Sequence, residues 1–350
     1  MIRKSLKIIS FFIIIVLSIT GWIILGPATT FQETKKIVFL KEGAPAFENL
    51  ENQIDTSSVI KYPRFFKYIA LRLKIDKSLR NGRFEIKKNQ NLWSIIRMLK
   101  NNRQAPVKLI ITKVRTKEQL ASFLANKMEA SDSLFLAFLN NDQLLSNYQL
   151  NKNTVMAAIM PNTYELYWNS TPKETFEKLF RYYNSYWTPE KIKKASDHKL
   201  SPVAATIIAS IVEEETAYNP EKPFIASVYI NRYQKGMRLQ ADPTIKFALN
   251  DFALKRIYEK HLAVESAYNT YRNNGLPPGP ICIPSATTLE AVLNAPETNF
   301  LYFVAKSDFS GKHEFSQTYE EHLIKAKAFQ EAQDQQENIK KNGLKLEEQL

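Results

Sequence analysis

The first long apolar stretch of the chain lies close to its N-terminus. Residues 8–25 are eighteen consecutive uncharged positions, and three basic residues precede them. At about 1.5 Å per residue, a helix of this length crosses the hydrocarbon core of a bilayer. A cleaved signal peptide would instead need a small-residue cleavage site, and Gly26-Pro27-Ala28 is a poor one because of its proline. We therefore expect a transmembrane anchor at 8–25 after a cytoplasmic stub at 1–7.

The basic residues on either side of this stretch bear on its orientation. Arg3, Lys4 and Lys7 favour a cytoplasmic N-terminus, although three lysines between residues 35 and 41 weaken the asymmetry. Later parts of the sequence contain no apolar stretch long enough to return through the membrane. The pattern predicts a single-pass protein of the cell (inner) membrane with most of the chain outside the cytoplasm.

Between residues 36 and 112 the polar and apolar positions predict a small α+β module. Residues 37–40 and 82–86 have strand-like patterns, 65–73 are apolar at helical spacing, and 107–111 form a β-branched strand. Asn91 is placed to cap a helix that carries Leu92, Ile95, Ile96 and Leu99 on one face.

Residues 113–200 read as a helical connecting region. Thr116 and Gln119 have the spacing of a capping box, and a second box at Thr171 and Glu174 begins another helix. Residues 132–153 are helical and rich in polar residues, and 161–168 suggest an aromatic turn.

The polar residues become clustered and specific between residues 201 and 324. Residues 202–218 predict a helix capped by Ser201 with proline at its first position. At 100° per residue, one face is apolar, and the opposite face carries small residues around Glu213, which suggests the lining of a groove. Glu215 falls in the middle of the apolar stripe. A glutamate with limited access to water can keep its proton at neutral pH, as a general acid must, and the pattern allows either residue this role.

Further predicted elements surround this helix. Residues 221–233 predict a second helix, and 237–240 alternate as a strand with Arg238 and Gln240 on one side. A stiff loop over 268–280 offers tyrosines that can stack on pyranose rings. Residues 300–305 and 312–315 predict a hairpin carrying His313 and Glu314, and 325–350 predict a charged helical tail.

Composition excludes several kinds of chemistry. The 350 residues contain one cysteine, Cys282, which excludes an intrachain disulfide framework, and four scattered histidines that form no H-E-x-x-H motif. We therefore expect no metal and no cofactor. The formal charge of +13 favours binding to polyanions, anionic lipid or a carboxylate-bearing polymer. Net charge alone does not distinguish these three classes of partner. Nucleic acid is a disfavoured partner, because a chain exported from the cytoplasm would be separated from it and because the basic residues are dispersed along the sequence.

Six short motifs occur in a fixed order along the chain. They are ASIVEEET at 209–216, VYINR at 228–232, GMRLQADPT at 236–244, YNTY at 268–271, GLPPGPI at 275–281 and LYFV at 301–304. Together they resemble the endolytic murein transglycosylases of the MltG or YceG-like type. The resemblance extends more thinly to the N-terminal apolar stretch, to residues 82–84 and to PNTY at 161–164, where the family usually shows aspartate second.

The resemblance implies a membrane-anchored α+β enzyme with a small LysM-like subdomain at 36–112 and a mixed α+β catalytic domain at 201–324. Such an enzyme cuts nascent glycan strands internally between N-acetylmuramic acid and N-acetylglucosamine, and it leaves 1,6-anhydro ends that terminate elongation. The implied catalytic residue is Glu213, first as general acid and then as base. The implied partners are peptidoglycan strands and the membrane, with cell-wall synthesis enzymes as further candidates. The residues expected to bind substrate are Asn231, Arg238, Gln240, Asp242, Tyr268, Asn269, Thr270, Tyr271, Pro277 and Pro278.

Two other functions stay open at this point. A lysozyme-like hydrolase would use Asp242, Glu215 or Glu314 as a second carboxylate. A non-catalytic, membrane-anchored peptidoglycan-binding protein would use the glutamate-bearing helix only for packing.

Overall fold

The structure, a computed structural model, describes residues 2–347 and mixes helices with three two-stranded sheets, which confirms the predicted α+β class. Its contacts divide the chain into two compact units. Unit 1 comprises Met1–Leu109, Leu124–Ser131 and Glu165–Thr175, and unit 2 comprises Ile110–Phe123, Asp132–Tyr164 and Phe176–Leu350. A LysM-like character of the first unit and the predicted domain boundaries stay predictions.

The N-terminal helix α1 spans Ile2–Leu25. Within it, Lys4–Leu25 is long and apolar enough to cross a membrane. A signal sequence near an N-terminus meets the same criteria, so the predicted anchor and its orientation stay predictions.

Unit 1 is built around one antiparallel strand pair and the helices on its inner face. Strand β1 pairs with β2 so that Lys35 lies opposite Lys87 and Leu40 opposite Gly82. Alternation along both strands sends Val38, Leu40, Phe84 and Ile86 into a core shared with the helices. Both predicted strands and the helix capped by Asn91 are confirmed, and Asn91 Oδ1 accepts a hydrogen bond from Ser94 N at 2.8 Å. The elements after α1 are β1 Lys35–Leu40, α2 Ala46–Ser57, α3 Pro63–Arg72, α4 Ile75–Ser78, β2 Gly82–Lys87 and α5 Leu92–Lys100.

The middle of the chain contains strands β3 and β4 and several short helices. β3 pairs with β4, and the division between the units falls within both strands. The aromatic turn expected at 161–168 is wrong, since β4 occupies most of it. The helix expected at 132–153 is two helices, because Asn141 begins a new one by accepting a hydrogen bond from Leu144 N. The elements are β3 Val107–Ile111, α6 Lys117–Ala125, α7 Asp132–Leu139, α8 Asp142–Ser146, β4 Asn162–Leu166, α9 Pro172–Tyr186 and α10 Pro189–Asp197.

Helix α11 is the central element of unit 2, in contact with α12, α13 and α15. It is buried on nearly every side, and Thr206, Ala209 and Ser210 are at most 2% exposed. The small-residue face expected to line a groove is therefore packed against protein, and Ser210 Oγ accepts a hydrogen bond from Ile281 N at 3.0 Å. The elements are α11 Pro202–Glu215, α12 Lys222–Gln234, α13 Asp242–Ala248, α14 Glu259–Leu262, α15 Ala286–Leu293, β5 Tyr302–Ala305, β6 His313–Ser316 and α16 Tyr319–Glu347.

Two boundaries in unit 2 differ from expectation. The strand predicted at 237–240 is absent, because Gln240 has a φ of 50° and its N–H donates to Thr270 O in an isolated hydrogen bond. The C-terminal helix begins at Tyr319 rather than at residue 325. Residues 348–350 of the predicted tail lie outside the described residues. The hairpin is confirmed, with β5 antiparallel to β6.

Candidate active site

Three consecutive glutamates end α11, and their side chains reach three different environments. Successive residues of a helix point about 100° apart, so Glu213 and Glu215 lie on nearly opposite faces, with Glu214 between them. The neighbours of each carboxylate decide its protonation state.

Glu213 faces α15 and is held as a carboxylate. Its Oε2 accepts hydrogen bonds from Ser285 Oγ at 2.9 Å, from Thr288 Oγ1 and from Lys222 Nζ at 3.2 Å. Lys222 is itself 4% exposed at the start of α12. Burial alone would raise the pKa of Glu213, but the bonds from Thr288 and Ser285 and the charge of Lys222 outweigh it and lower the pKa. Glu213 therefore joins α11, α12 and α15 as a partly buried anion.

Glu214 is also ionised, in a separate cluster of unit 2. Lys113 Nζ lies 2.7 Å from Oε1, and Arg115 Nη2 lies 3.2 Å from Oε2. Burial raises the pKa of Glu214, but the hydrogen bonds and charges of these two residues lower it by more.

Glu215 has no basic residue in direct contact among the described residues. Its Oε1 accepts a hydrogen bond from the hydroxyl of Tyr229, on α12. Burial, with the charge of Asp242 acting in the same sense, raises the pKa of Glu215 to about 7, against the lowering effect of Tyr229. Glu215 therefore keeps its proton to a higher pH than an exposed glutamate does.

Glu215 lines a concave pocket of about 380 Å³ in unit 2. The pocket wall combines this carboxyl group with a second carboxylate, four tyrosines, an arginine and a histidine. A pocket of this size with convergent polar groups and a carboxyl group of raised pKa is a typical candidate for an active site. The lining residues are Glu215, Tyr229, Arg232, Leu239, Gln240, Asp242, Tyr271, Tyr302, Phe303, Tyr319 and His322.

Arg232 fixes the elements that form this pocket. Its Nε donates to Leu301 O at 2.6 Å and its Nη1 to Leu239 O at 2.7 Å, while the guanidinium lies 5.1 Å from the ring centroid of Tyr302. It is 8% exposed. A planar guanidinium can hold two carbonyls and an aromatic face at once, so Arg232 ties α12 to β5 and to the segment before α13.

A compact turn places Asp242 at the pocket. Thr270 Oγ1 accepts a hydrogen bond from Ala241 N at 3.0 Å and lies 2.8 Å from Thr244 Oγ1. The neighbouring Tyr271 donates its hydroxyl to Asp242 Oδ1 at 2.6 Å. The YNTY motif and the start of α13 thus meet at the pocket. The resemblance implies substrate contacts for residues of both segments.

The structure brings together only part of the predicted substrate-binding set. Gln240, Asp242 and Tyr271 line the pocket. Asn231, Asn269 and Thr270 instead bind backbone groups; Asn231 Nδ2, for example, donates to Thr298 O at 2.8 Å. These three are absent from the pocket lining, and so are the other four predicted residues, Arg238, Tyr268, Pro277 and Pro278.

Several pocket residues were not among the predicted site residues. Tyr229 and Arg232 are three positions apart on α12, and Tyr319 and His322 are three apart on α16. This spacing places each pair on one helix face, which was the available signal. His322 stacks on Tyr302 at 5.2 Å, and burial together with the charge of Arg232 lowers its pKa.

The donor groups near the pocket do not suggest a metal centre. Among the side chains that the structure describes, histidine, cysteine, aspartate and glutamate form no group of three or more that could hold a metal ion.

Comparison with known proteins identifies the family. Residues 38–328, well over half of the chain, match the YceG-like family. The chain belongs to the YceG-like family. This confirms the resemblance seen in the six motifs.

Similar proteins have been named in three bacteria. An endolytic murein transglycosylase of Bacillus subtilis (strain 168) is 29% identical over 289 residues, covering 76% of this chain and 77% of that protein. An endolytic murein transglycosylase of Streptococcus pneumoniae serotype 2 is 23% identical, covering 81% of this chain but 57% of the streptococcal protein. A crystal structure of a putative YceG-like protein from Listeria monocytogenes has a TM-score of 0.54 and 26% identity, and the match covers 84% of this chain and 99% of that one.

Proposed function

We propose that this YceG-like protein is a lytic transglycosylase that cleaves peptidoglycan strands internally. Two relatives named endolytic murein transglycosylase support the general reaction. The pocket around Glu215 supports the chemistry, because it places a carboxyl group with a pKa of about 7 in a concave, polar site.

The single observation that carries the proposal is the difference between the two outer glutamates. A general acid must hold a proton at the working pH and must reach the substrate. Glu215 has a raised pKa and lines the pocket, which supports this role, whereas Glu213 has a lowered pKa, is bound by Lys222, Ser285 and Thr288 and is not among the pocket residues. We therefore assign the proton donor to Glu215 and a structural role to Glu213, which the family resemblance had suggested as catalytic.

Cleavage begins when Glu215 donates its proton to the oxygen between two sugars. The bond between the anomeric carbon of N-acetylmuramic acid and that oxygen breaks, and the ring gains oxocarbenium character. The proton leaves with the departing N-acetylglucosamine hydroxyl, so Glu215 becomes a carboxylate. The hydroxyl of Tyr229 already donates to Glu215 Oε1 and stabilises the carboxylate formed in this step.

The same carboxylate then serves as the base. It accepts the proton of the 6-hydroxyl of the muramic acid residue while that oxygen bonds to the anomeric carbon. The attacking group belongs to the same sugar, so its effective concentration is high and no water needs to be activated. The product is a 1,6-anhydro end, and Glu215 regains its starting proton.

The remaining pocket residues position the sugar. Gln240 offers an amide and Tyr271 an aromatic ring beside Asp242, and Tyr302, held by Arg232, forms another part of the wall. Aromatic faces and amide groups are suited to the faces and hydroxyls of pyranose rings. Substrate contact by Gln240, Asp242 and Tyr271 is part of the proposal.

A hydrolase is the second candidate, because Asp242 lies at the same pocket as Glu215 and its charge acts on it. A lysozyme-like enzyme needs such a second carboxylate to attack the sugar or to activate water. Glu314 is not among the lining residues of this pocket, which leaves Asp242 as the carboxylate that the geometry favours for this alternative.

Mass spectrometry of the products separates these reactions. Purified, uncrosslinked glycan strands are incubated with the detergent-solubilised full-length protein, and the ends are identified by mass. The transglycosylase proposal predicts 1,6-anhydro ends, with fragments of intermediate length appearing early because the cuts are internal. Reducing ends without anhydro sugar would refute it and favour the hydrolase. Two variants test the role of Asp242. If Asp242→Ala loses activity and Asp242→Asn still produces 1,6-anhydro ends, Asp242 positions the substrate.

The predicted membrane placement belongs to the same proposal. We infer that α1 anchors the protein with its N-terminus in the cytoplasm, which would place both units where peptidoglycan is made. Cell-wall synthesis enzymes are the partners that this location favours. Cysteine accessibility at Ser5 and Ser310 in intact cells tests the orientation, since only a cysteine at residue 310 should react with an impermeant reagent.

A further inference from the structure

The outer face of the β1–β2 pair in unit 1 has an unusual charge pattern. The residues on this face are Lys35, Ile37 and Phe39 from β1 and Arg83, Glu85 and Lys87 from β2. Lys35 and Lys87 are direct cross-strand partners. Like charges directly opposite each other on a sheet are destabilising, so the pair has a cost that the fold itself does not require.

The available carboxylate does not neutralise this face. Glu85 Oε2 pairs with Lys35 Nζ at 2.8 Å, and Lys87 has no acidic partner among the residues that the structure describes. Arg83 Nη1 donates to the carbonyls of Ala105 and Pro106, and no ion pair joins Arg83 to an acid in the described part of the chain. The face therefore holds an excess of positive charge.

The charged face forms one wall of an open groove of about 800 Å³ that lies wholly within unit 1. Its lining contains six cationic side chains and one carboxylate. Arg103 and Lys127, on the far wall, are exposed and have no acidic partner among the described residues, whereas Lys108 lies 3.6 Å from Glu165. The cations are Lys35, Arg83, Lys87, Arg103, Lys108 and Lys127.

An aromatic pair lies among these charges. Phe39 and Trp168 have ring centroids 4.9 Å apart, and Phe39 is 37% exposed. Trp168 is only 7% exposed and supports the Phe39 ring from behind. An exposed aromatic ring beside cationic groups is suited to ligands that combine a carbon skeleton with negative charge.

The strand pair gives this wall of the groove its length. Lys35 and Lys87 mark one end of the pair and Leu40 and Gly82 the other, about 17 Å away at roughly 3.4 Å per residue. Gly82 allows Gln104 to approach, since a Cβ there would lie 2.3 Å from Gln104 Cδ. Cations occur towards both ends, because Arg83 is next to Gly82 and opposite Phe39, four positions from Lys87. A single lipid headgroup or free phosphate would occupy only one end of such a groove.

We propose that this groove binds a linear polymer of sugar or polyol units that are joined by phosphodiesters and carry no nucleobases, since successive bases would need a row of exposed rings to stack on. A phosphodiester keeps a full negative charge in every repeat, which suits cations spread along 17 Å. The exposed Phe39 ring, packed against Trp168, contacts the carbon skeleton between the phosphates. The inference concerns unit 1 alone and does not depend on the transglycosylase proposal.

Binding of a fluorescent glycosyl-phosphate oligomer to the full-length protein in neutral detergent tests this inference. We expect saturable binding that weakens linearly on a log–log plot against salt concentration, as phosphate contacts do. The double variant Lys87→Gln/Arg103→Gln should weaken binding about tenfold, since two charge contacts are lost. Lys77→Gln is the matched control, because Lys77 is exposed, lies in unit 1 and is absent from the groove; it should leave the affinity unchanged.

Three comparison ligands keep the test decisive. The unphosphorylated oligomer of the same sugar, vesicles containing anionic phospholipid, and single-stranded DNA of equal charge should each bind more weakly than the glycosyl-phosphate oligomer. Equal or tighter binding of any of them, no binding of the oligomer, or an unchanged affinity in a correctly folded double variant would overturn the proposal. Circular dichroism melting of all variants establishes that they are folded.

Discussion

Replacing Glu213 or Glu215 by glutamine should change the stability of unit 2 in opposite directions. The pKa of Glu215 is raised from 4.5 to about 7 by burial and by Asp242. The folded chain therefore holds more protons than the unfolded chain between pH 4.5 and 7, and its stability falls as the pH rises through this window. Glu213 has a lowered pKa, so it contributes stability above its unfolded pKa that is lost on acidification.

The size of the Glu215 effect follows from its pKa. One unit corresponds to about 1.4 kcal/mol, so ionisation of Glu215 costs the folded state about 3 kcal/mol once the pH exceeds 7. Glu215→Gln removes this cost and should stabilise the protein by up to about 3 kcal/mol at pH 8, with little difference at pH 4. Glu213→Gln leaves the buried Lys222 without its carboxylate, and should destabilise by the order of 3 kcal/mol at pH 8. The difference in stability between Glu213→Gln and the parent protein should become smaller as the pH falls.

The fluorescence of Trp187 provides the assay. The four tryptophans are Trp22, Trp93, Trp168 and Trp187, and the last is the tryptophan within unit 2. With the other three replaced by phenylalanine, urea unfolding between pH 4 and 8 reports on unit 2 for the parent and both variants. A Glu215→Gln variant that is less stable than the parent at pH 8, or a difference that does not vary with pH, would refute the assignment of a raised pKa.

Three further predictions concern the pocket and unit 1. The rate of strand cleavage should fall as the pH rises through about 7. Asp242→Asn should shift this fall in rate to lower pH, because it removes a charge that raises the pKa of Glu215. Tyr229→Phe should shift the fall to higher pH, because it removes a hydrogen bond that lowers the same pKa; a shift in the opposite direction in the pH–rate profile of either variant would contradict that prediction. Asn91→Ala should destabilise unit 1 by about 1 kcal/mol in urea unfolding followed by Trp93 fluorescence, whereas exposed Asn101→Ala, at the other end of α5, should have a smaller effect.

Much of the fold follows from local patterns in the sequence. The alternation at 37–40 and 82–86 predicts β1 and β2, and Asn91, Ser201 and Thr171 predict the starts of α5, α11 and α9. These elements were predictable because a cap or a period of two acts within a few residues. The aromatic turn at 161–168 was wrong because strand pairing with β3, about 50 residues away in sequence, decides its conformation.

The identity of the acid could not be read from periodicity. The helical pattern leaves Glu213 and Glu215 equally open, and the family resemblance suggested the first. The two glutamates differ in pKa because of residues distant in sequence. Lys222, Ser285 and Thr288 act on Glu213, and Tyr229 and Asp242 act on Glu215. Tyr319 and His322 reach the same pocket from the start of α16, and a local pattern gives no indication of that approach.

The central claim is that Glu215 donates the proton, and the most direct measurement is the cleavage rate of Glu215→Gln beside that of Glu213→Gln. Both variants are assayed on purified glycan strands at pH 6, with the folded fraction of each determined by urea titration. The account predicts that Glu215→Gln is folded and loses activity by about a hundredfold or more, whereas folded Glu213→Gln keeps a substantial rate. Undiminished cleavage by Glu215→Gln, with activity lost in a folded Glu213→Gln, would contradict it.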